Sequence, residues 1–264
     1  MNKKIIFCDF DGTLVGKDVQ LSPRLKKAIL AWEKKGHLFS LATGRIFAGH
    51  VQRIADELQL NSPQVSMGGA QIVDPIKREV IYEDLMPDDA VKKLIEILTE
   101  KNIYFWAEKD FAIYNYAGAP RHVSNAIVPH KKLAGLPLHN IPKIGIKPTT
   151  DAEIHFIEEA IVDMFPSLHV IRAGSSFGLV YDVTAAEASK HSGVLKVISL
   201  LDIPRENTIG IGDGYNDFPL LTVAGYKVAM GNAPDDLKAI ADFVTTNQDA
   251  DGVAMVIERL LKVA

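Results

Sequence analysis

The chain has 264 residues, of which 47% are hydrophobic and 23% charged, and its net charge is −4. This balance is typical of a globular protein with one large α/β domain or two smaller ones, and it excludes a disordered chain. No uncharged apolar run approaches the ~18 residues of a membrane helix, and the negative charge gives no general attraction to nucleic acid. We therefore expect no membrane partner and no nucleic-acid partner.

Strands and helices alternate in the first part of the chain. Residues 4–8 form a continuous apolar run, which indicates a strand buried on both faces. Ser22 and Pro23 then predict the start of a helix that ends near Gly36. A second strand over residues 38–42 and a helix that reaches about residue 58 follow. This order is typical of a parallel βαβ sheet.

The middle of the chain has a different pattern. An amphipathic helix over residues 87–101 precedes two segments, 103–107 and 111–115, that predict a hairpin. Residues 117–141 contain several prolines and glycines and give no assignment. A strand near 143–147, a helix near 151–165 and strands over 168–172 and 178–183 follow. Hairpins with interleaved helices indicate an α+β module inserted into the α/β domain.

The last part of the chain returns to the α/β order. It predicts helices over 192–201, 218–224, 235–241 and 253–261, and strands over 208–212 and 226–230. The predicted fold class is therefore α/β. We expect a doubly wound, Rossmann-like parallel-sheet core formed by residues 1–82 and 186–264, with an inserted α+β cap domain formed by residues 83–185.

The cellular compartment is predicted from two features of the sequence. The apolar run before Asp9 is too short for a signal-peptide core. The single cysteine, Cys8, has no partner for an intramolecular disulfide, which fits a reducing environment. We therefore expect a cytoplasmic protein.

Carboxylates follow two of the predicted core strands. Asp9 and Asp11 come after the first strand, and Asp213 and Asp217 come after the strand over residues 208–212. Ligands of an open α/β sheet bind outside the carboxyl ends of its strands, so we expect these side chains in one small volume. Two like charges ~4 Å apart repel by roughly 4 kcal/mol at an effective dielectric constant near 20. A hard divalent cation relieves that repulsion, and an all-oxygen ligand set points to Mg²⁺.

Three further residues suit a phosphate group. Thr43 and Gly44 follow the second strand and offer a hydroxyl and backbone N–H groups near a helix N-terminus. Lys190 comes at the start of the helix over residues 192–201, where its ammonium group and the helix dipole attract the same anion. Mg²⁺ in proteins commonly binds together with a substrate phosphate, so the two sets of residues predict one site.

Four segments in order along the chain resemble the motifs of a known superfamily. They are Asp9-Phe10-Asp11-Gly12-Thr13, Ala42-Thr43-Gly44-Arg45, Lys190, and Gly212-Asp213-Gly214-Tyr215-Asn216-Asp217. Together they are similar to the four motifs of haloacid dehalogenase (HAD) superfamily phosphatases. The long insert between the second and third motifs is similar to the large α/β cap of the Cof-type branch.

The resemblance implies a role for each motif residue. It implies Asp9 as the nucleophile that forms an aspartyl-phosphate, and Asp11 as the general acid and base. The residues implied to bind the transferring phosphoryl group are Thr43, Gly44 and Lys190, with Asn216 beside it. Those implied to bind Mg²⁺ are Asp9, the backbone carbonyl of Asp11, and Asp213, with Asp217 in that ligand shell or just outside it.

The function implied by the resemblance is that of a phosphoric monoester hydrolase, which uses Mg²⁺ to hydrolyse a sugar phosphate or a similar small phosphorylated metabolite. A phosphomutase of the same superfamily is one alternative, and product analysis distinguishes it because only hydrolysis releases inorganic phosphate. A non-catalytic sugar-phosphate sensor is another, and it would keep ligand binding after loss of Asp9. A transport ATPase has a similar core but needs membrane spans that this sequence lacks.

The identity of the substrate does not follow from the sequence. Gly68 stands where members of the branch usually carry an Asn close to the substrate, which removes one basis for analogy. The candidate substrate contacts in the cap are Trp106, Tyr114, Tyr116, Arg121 and His122. We expect most of the aromatic residues among them to be hydrophobic core. Arg45 is interpreted as an ion-pair residue rather than a catalyst. A monomer and a homodimer both stay open.

Overall fold

The computed structural model describes residues 3–116, 128–175 and 178–263. Two of the candidate cap residues, Arg121 and His122, lie outside these ranges. In the described ranges, no helix combines the length and the apolar character that a bilayer crossing requires.

Fourteen strands and nine α-helices are assigned in the described ranges. The strands are β1 (Ile5–Cys8), β2 (Leu38–Leu41), β3 (Gln64–Ser66), β4 (Gln71–Asp74), β5 (Glu79–Glu83), β6 (Tyr104–Lys109), β7 (Ala112–Asn115), β8 (His130–Lys132), β9 (Lys143–Lys147), β10 (Leu168–Ser175), β11 (Gly178–Ala185), β12 (Thr208–Gly212), β13 (Tyr226–Ala229) and β14 (Phe243–Val244). The helices are α1 (Pro23–Lys34), α2 (His50–Glu57), α3 (Asp88–Glu100), α4 (Asp151–His155), α5 (Val162–Met164), α6 (Lys190–Leu201), α7 (Phe218–Val223), α8 (Asp235–Ala239) and α9 (Gly252–Val263). A π-helical segment, Phe156–Ile161, joins α4 to α5.

A five-stranded parallel sheet in the order β14-β13-β12-β1-β2 forms the core. Every residue of β1 and of β12 is buried, as their apolar sequences predict. Alternate side chains of β1 point to opposite sides: Ile6 packs in a cluster with α1, α2 and α9, whereas Phe7 packs with α6 and α7. Helices thus cover both faces of the sheet, which confirms the predicted α/β fold class.

Local sequence signals set the ends of α1. The Ser22 side chain accepts the backbone N–H of Leu25 (3.0 Å), and Pro23 occupies the first helical position, where it loses no hydrogen bond. Gly36 follows the helix with a φ of +85°, a left-handed conformation that glycine adopts without strain. The predicted start and end of this helix are therefore confirmed.

A second, six-stranded sheet has the order β10-β11-β9-β6-β7-β8. Its neighbours pair antiparallel, except for the parallel pair of β7 and β8. One face packs on α3 and on the helix over residues 151–164 through residues such as Phe105, Ile144 and Val183. The opposite face, which includes Trp106, packs with the core residues Ile46 and Met67.

A third sheet, β3-β4-β5, was not predicted from the sequence. It is antiparallel, and its strands carry buried polar side chains such as Gln64, Ser66 and Gln71. The six-stranded sheet uses strands between residues 104 and 185, and the parallel sheet uses strands on either side of it along the chain. The division into domains at residues 82/83 and 185/186 stays a proposal.

Candidate active site

Polar residues follow four strands of the core sheet. Asp9 follows β1, Thr43 lies just beyond β2, Asp213 follows β12, and Asn232 lies just beyond β13. Parallel pairing of β1 with β2 and β12, and of β12 with β13, brings these strand ends to one edge of the sheet. The backbone N–H of Asp9 donates to the carbonyl of Ile211 (2.9 Å), which fixes the end of β1 against β12.

Three carboxylates meet at this edge. One oxygen from each of Asp9, Asp213 and Asp217 lies within 4.8 Å of the other two. Asp9 and Asp217 are buried, with 5% and 0% of their surfaces exposed. Burial, followed by the charge of Asp217, raises the pKa of Asp9 well above its usual range, although Lys190 opposes the shift. Burial also raises the pKa of Asp213 to about 6.

One buried ammonium group balances part of this negative charge. Lys190 begins α6, whose first turn is capped by reciprocal hydrogen bonds between Ser189 and Ser192. Its Nζ donates to Oδ1 of Asp9 (2.5 Å) and to Oδ1 of Asp217 (2.6 Å). Burial favours the neutral amine, but the two carboxylates outweigh that effect and raise the pKa of Lys190. Lys190 therefore stays charged and orients the Asp9 carboxylate.

The loop after β12 is held by groups from distant parts of the chain. Asp213 accepts the hydroxyl proton of Thr13 on Oδ1 (2.6 Å) and an amide proton of Asn232 on Oδ2 (2.9 Å). Oδ2 of Asp217 accepts the backbone N–H groups of Asp213 and Gly214, both at 2.9 Å. These bonds fix the two carboxylates relative to the sheet.

The Asp11 side chain lies outside the three-carboxylate cluster. It is half exposed, and its two oxygens accept hydrogen bonds from Nε and Nη2 of Arg45, both at 2.6 Å. This is the bidentate geometry that guanidinium and carboxylate groups favour. The adjacent Gly12 has a φ of +80°, and a Cβ there would lie 2.5 Å from Oδ2 of Asp213. Only glycine allows the chain to turn this close to Asp213.

The residues implied to bind phosphate lie next to the acidic cluster. Thr43 is buried, and its Oγ1 accepts the backbone N–H of Arg45 (3.1 Å). Gly44, Lys190 and Asn216 line one cavity of about 280 Å³ between the core and strand β10. Gly68, which replaces the Asn usual in the branch, lines the same cavity.

The chemistry of the acidic cluster suits a hard divalent cation. Its donors are carboxylate oxygens, the ligands that Mg²⁺ and Ca²⁺ prefer. The raised pKa values of Asp9 and Asp213 reflect crowding and burial of negative groups, which a bound cation offsets. The residues present therefore fit a metal site.

The cavity is not lined by the described aromatic candidates of the cap. Trp106 is buried, and its indole N–H donates to Oε1 of Glu108 (2.9 Å). Tyr114 and Tyr116 pack in the cluster on the helix-covered face, where Tyr116 stacks on Phe105 with ring centroids 5.0 Å apart. Trp106 and Tyr114 are thus hydrophobic core, and Tyr116 is partly buried against it.

Sequence analysis missed three polar residues that adjoin the site. Asn232 donates to the carbonyl of Gly12 (3.0 Å) as well as to Asp213. It comes shortly after the strand predicted over residues 226–230. Because ligands bind beyond the carboxyl ends of such strands, its position in the sequence could have identified it as a site residue. Lys143 and Asp182 lie within strands of the six-stranded sheet, and only the folded sheet reveals that they reach the core.

Comparison with known proteins identifies a family. The model of the haloacid dehalogenase-like hydrolases matches residues 6–257. YkrA of Bacillus subtilis (strain 168) is 31% identical, and the match covers 98% of each chain. The 5-amino-6-(5-phospho-D-ribitylamino)uracil phosphatase YcsE of the same organism is 27% identical over 96% of this chain and 94% of YcsE.

Solved structures agree with this assignment. A haloacid dehalogenase-like hydrolase from Bacteroides thetaiotaomicron superposes with a TM-score of 0.85 at 26% identity, covering 98% of this chain and 100% of that one. A HAD subclass IIB sugar phosphatase superposes with a TM-score of 0.82 at 25% identity, covering 98% and 99%. The predicted superfamily and its enzymatic class are thus confirmed. The chain belongs to the haloacid dehalogenase-like hydrolases and is a phosphoric monoester hydrolase.

Proposed function

We propose that the protein hydrolyses a small phosphate monoester, such as a sugar phosphate, with Mg²⁺ and through an aspartyl-phosphate at Asp9. The observation that carries this proposal is the environment of Asp9: its buried carboxylate is bonded to Lys190 and lies next to Asp213 and Asp217. A nucleophile, a cation and metal-binding oxygens thus surround one point. Two relatives named as phosphatases of phosphorylated small molecules support this substrate class.

The first proposed step transfers the phosphoryl group to Asp9. A carboxylate oxygen of Asp9 attacks phosphorus in line with the ester oxygen, while Lys190, Thr43 and Gly44 stabilise the charge on the phosphoryl oxygens. Protonated Asp11 donates its proton to the leaving oxygen, so the alcohol departs neutral. Because Asp11 bonds Arg45 in this structure, it must release Arg45 to reach that oxygen.

The second proposed step hydrolyses the aspartyl-phosphate. Asp11 takes a proton from a water molecule as the water oxygen attacks phosphorus, which releases inorganic phosphate and restores the Asp9 carboxylate. When bound, Mg²⁺ would neutralise charge on the phosphoryl oxygens. The groups proposed to hold it are Asp9, Asp213, the Asp11 backbone carbonyl and the neighbouring Asp217. The cytoplasmic location and the choice between monomer and homodimer stay predictions.

An Asp11→Asn variant tests this mechanism. p-Nitrophenyl phosphate has a good leaving group that needs little help from an acid, so the first step should largely survive. The second step still needs a base, and general acid–base catalysis contributes about 10²- to 10⁴-fold, so the aspartyl-phosphate should accumulate. Rapid-quench assays should show a burst of nitrophenol, and intact mass should show a phosphorylated protein.

Matched measurements separate this mechanism from its alternatives. Inorganic phosphate as the sole phosphorus product of the wild-type enzyme distinguishes a hydrolase from a phosphomutase. Asp163→Asn removes a carboxylate from an exposed helical position and should behave like the wild type. An Asp11→Asn enzyme that shows neither burst nor phosphorylated protein would contradict the assignment of Asp11 as the base.

Removal of divalent cations is expected to stop turnover and to destabilise the fold. A ligand that binds only the native state stabilises it by about 2.7 kcal/mol when its concentration is 100 times its dissociation constant. Thermal melts and phosphate release are compared in EDTA, in excess Mg²⁺, and in NaCl of the same ionic strength. The salt control separates specific binding from screening of the acidic cluster. Full turnover in EDTA would rule out the metal.

A further inference from the structure

A second group of buried charges lies on the core-facing side of the six-stranded sheet. Lys143 in β9 lies opposite Glu108 in β6, and only 3% and 5% of their surfaces are exposed. Asp182 in β11 lies opposite Gly145, the next residue of β9 on the same face. Removing charged groups from water is costly, and a buried ion pair is weak evidence for stability. The burial of this group therefore points to a role other than stability.

The ammonium group of Lys143 is fully occupied by protein acceptors. Its Nζ lies 2.7 Å from the carbonyl oxygen of Gly44, 2.9 Å from Oδ1 of Asp182 and 3.3 Å from Oε1 of Glu108. An ammonium group has three protons, so each has a partner and none is left for a substrate. Lys143 thus joins Asp182 to the loop that carries the phosphate-binding residue Gly44.

The second oxygen of Asp182 is turned towards this loop. A Cβ built on Gly44 would lie 3.2 Å from Oδ2 of Asp182, so this oxygen closely approaches the loop backbone. Asp182 also lines the cavity together with Gly44, Lys190 and Asn216. The alcohol part of a substrate whose phosphate binds at those three residues must extend into this cavity. Asp182 therefore presents a carboxylate to the alcohol part of the substrate.

His169 and two cations line the same cavity as Asp182. Nδ1 of His169 lies 3.1 Å from the carbonyl oxygen of Ala188, and this bond requires the proton on Nδ1. Of the cations beside the cavity, Lys190 is engaged by Asp9 and Asp217, and Arg172 is engaged by Glu158. Lys143 is engaged by Asp182 itself. Beyond the residues that bind the phosphate, such a lining favours groups that donate hydrogen bonds and disfavours a second anion.

We propose that Asp182 selects the leaving alcohol: it accepts a hydrogen bond from a hydroxyl group of the alcohol part and disfavours a carboxylate or a second phosphate in the cavity. Lys143 is its positioning residue. The substrates favoured are phosphate monoesters of small polyhydroxylated alcohols, since the cavity holds about 280 Å³. This inference rests on the proposed phosphatase function.

The wild-type enzyme provides the first test through two substrates that differ in one group. Glycerol 3-phosphate carries a terminal hydroxymethyl group where 3-phosphoglycerate carries a carboxylate. We expect kcat/KM to favour glycerol 3-phosphate at least about 10-fold, since hydrogen bonds to charged groups contribute about 1.5–3 kcal/mol. An equal or inverted preference overturns the proposal. So does an enzyme active on p-nitrophenyl phosphate that leaves glycerol 3-phosphate untouched.

Variants of Asp182 provide the second test. Asp182→Asn and Asp182→Ala should reduce kcat/KM for glycerol 3-phosphate by about 10- to 100-fold, the equivalent of one lost charged hydrogen bond. Turnover of p-nitrophenyl phosphate, which has no such hydroxyl, should change less than about 3-fold. Asp182→Asn should also reduce the ratio of kcat/KM for glycerol 3-phosphate to that for 3-phosphoglycerate. Asp163→Asn should leave unchanged both this ratio and the ratio of glycerol 3-phosphate to p-nitrophenyl phosphate activity.

The outcomes distinguish the inference from the function on which it rests. If both substrates lose activity equally in folded Asp182→Asn enzyme, Asp182 supports the fold or the chemistry and does not select the alcohol. If the variant keeps its full preference for the hydroxyl substrate, the proposal is also wrong. If the wild-type enzyme hydrolyses no phosphate monoester in Mg²⁺, the proposed function itself fails. Melting temperatures confirm that each variant is folded.

Discussion

Replacing Asp9 with Asn should abolish turnover, with kcat falling by at least about 10⁴-fold, as expected when a nucleophile that acts with a set of partners is removed. The Asn side chain is isosteric, and its carbonyl oxygen still accepts a hydrogen bond from Lys190, which lies 2.5 Å from Oδ1 in the native protein. The fold should therefore persist. Loss of one charge from the cluster of three carboxylates should leave the melting temperature unchanged or slightly raised.

Phosphate release and intact mass measure the result for Asp9→Asn. No burst of nitrophenol and no phosphorylated protein should form, in contrast to Asp11→Asn. Calorimetric titration with inorganic phosphate in Mg²⁺ tests whether the binding residues remain in place. Activity within 10-fold of the wild type, in a preparation whose mass excludes deamidation back to Asp, would contradict the role of Asp9.

Replacing Lys190 with Met should have the largest effect on stability. Lys190 bonds two buried carboxylates, and its removal leaves Asp9 and Asp217 without their shared cation. Breaking a buried ion pair by removing one partner costs about 3–5 kcal/mol. We expect a loss of that size in urea unfolding without divalent cations, and a smaller loss in excess Mg²⁺, because a bound cation offsets the same negative charge.

The matched control for Lys190→Met is Lys196→Met. Lys196 lies on the same helix, and its ammonium group is 4.2 Å from the ring centroid of Tyr82. A cation–π contact of this kind contributes about 0.5–1 kcal/mol, and its loss should not depend on Mg²⁺. Equal losses in the two variants, or a Lys190→Met protein as stable as the wild type in EDTA, would contradict the assigned role of Lys190.

The core sheet was predictable because its signals are local. The apolar run of β1 and the Ser22-Pro23 start of α1 each specify an element within a few residues. The sheet formed by β3, β4 and β5 was missed since its buried Gln64 and Ser66 have the composition of a loop. Strands β8 and β14, at three and two residues, are too short to carry a periodic pattern.

The residues of the candidate site likewise include some that local sequence signals predicted and others that only the folded structure reveals. Asp9 and Asp213 were predicted to meet because each directly follows a buried strand. Lys143 looks like an ordinary surface lysine in the sequence, and its burial follows from the pairing of β9 between β6 and β11. The Asp11–Arg45 ion pair depends on side-chain rotamers, which no sequence pattern specifies. The roles of residues such as Lys143 depend on which face of a sheet is covered, and the sequence alone does not predict this.

The position of β1 in the core sheet has a consequence for synthesis of the chain. β1 pairs with β12 in the register Ile5 to Thr208, so the strand that precedes the proposed nucleophile, Asp9, has one open edge until two hundred further residues have been made. At about 5–20 residues per second, this interval lasts about 10–40 seconds. Residues 104–185, which contain all strands of the six-stranded sheet, are complete before β12 leaves the ribosome. Catalytic competence therefore arrives late, and chaperones that shield open strand edges can act on β1 throughout this interval.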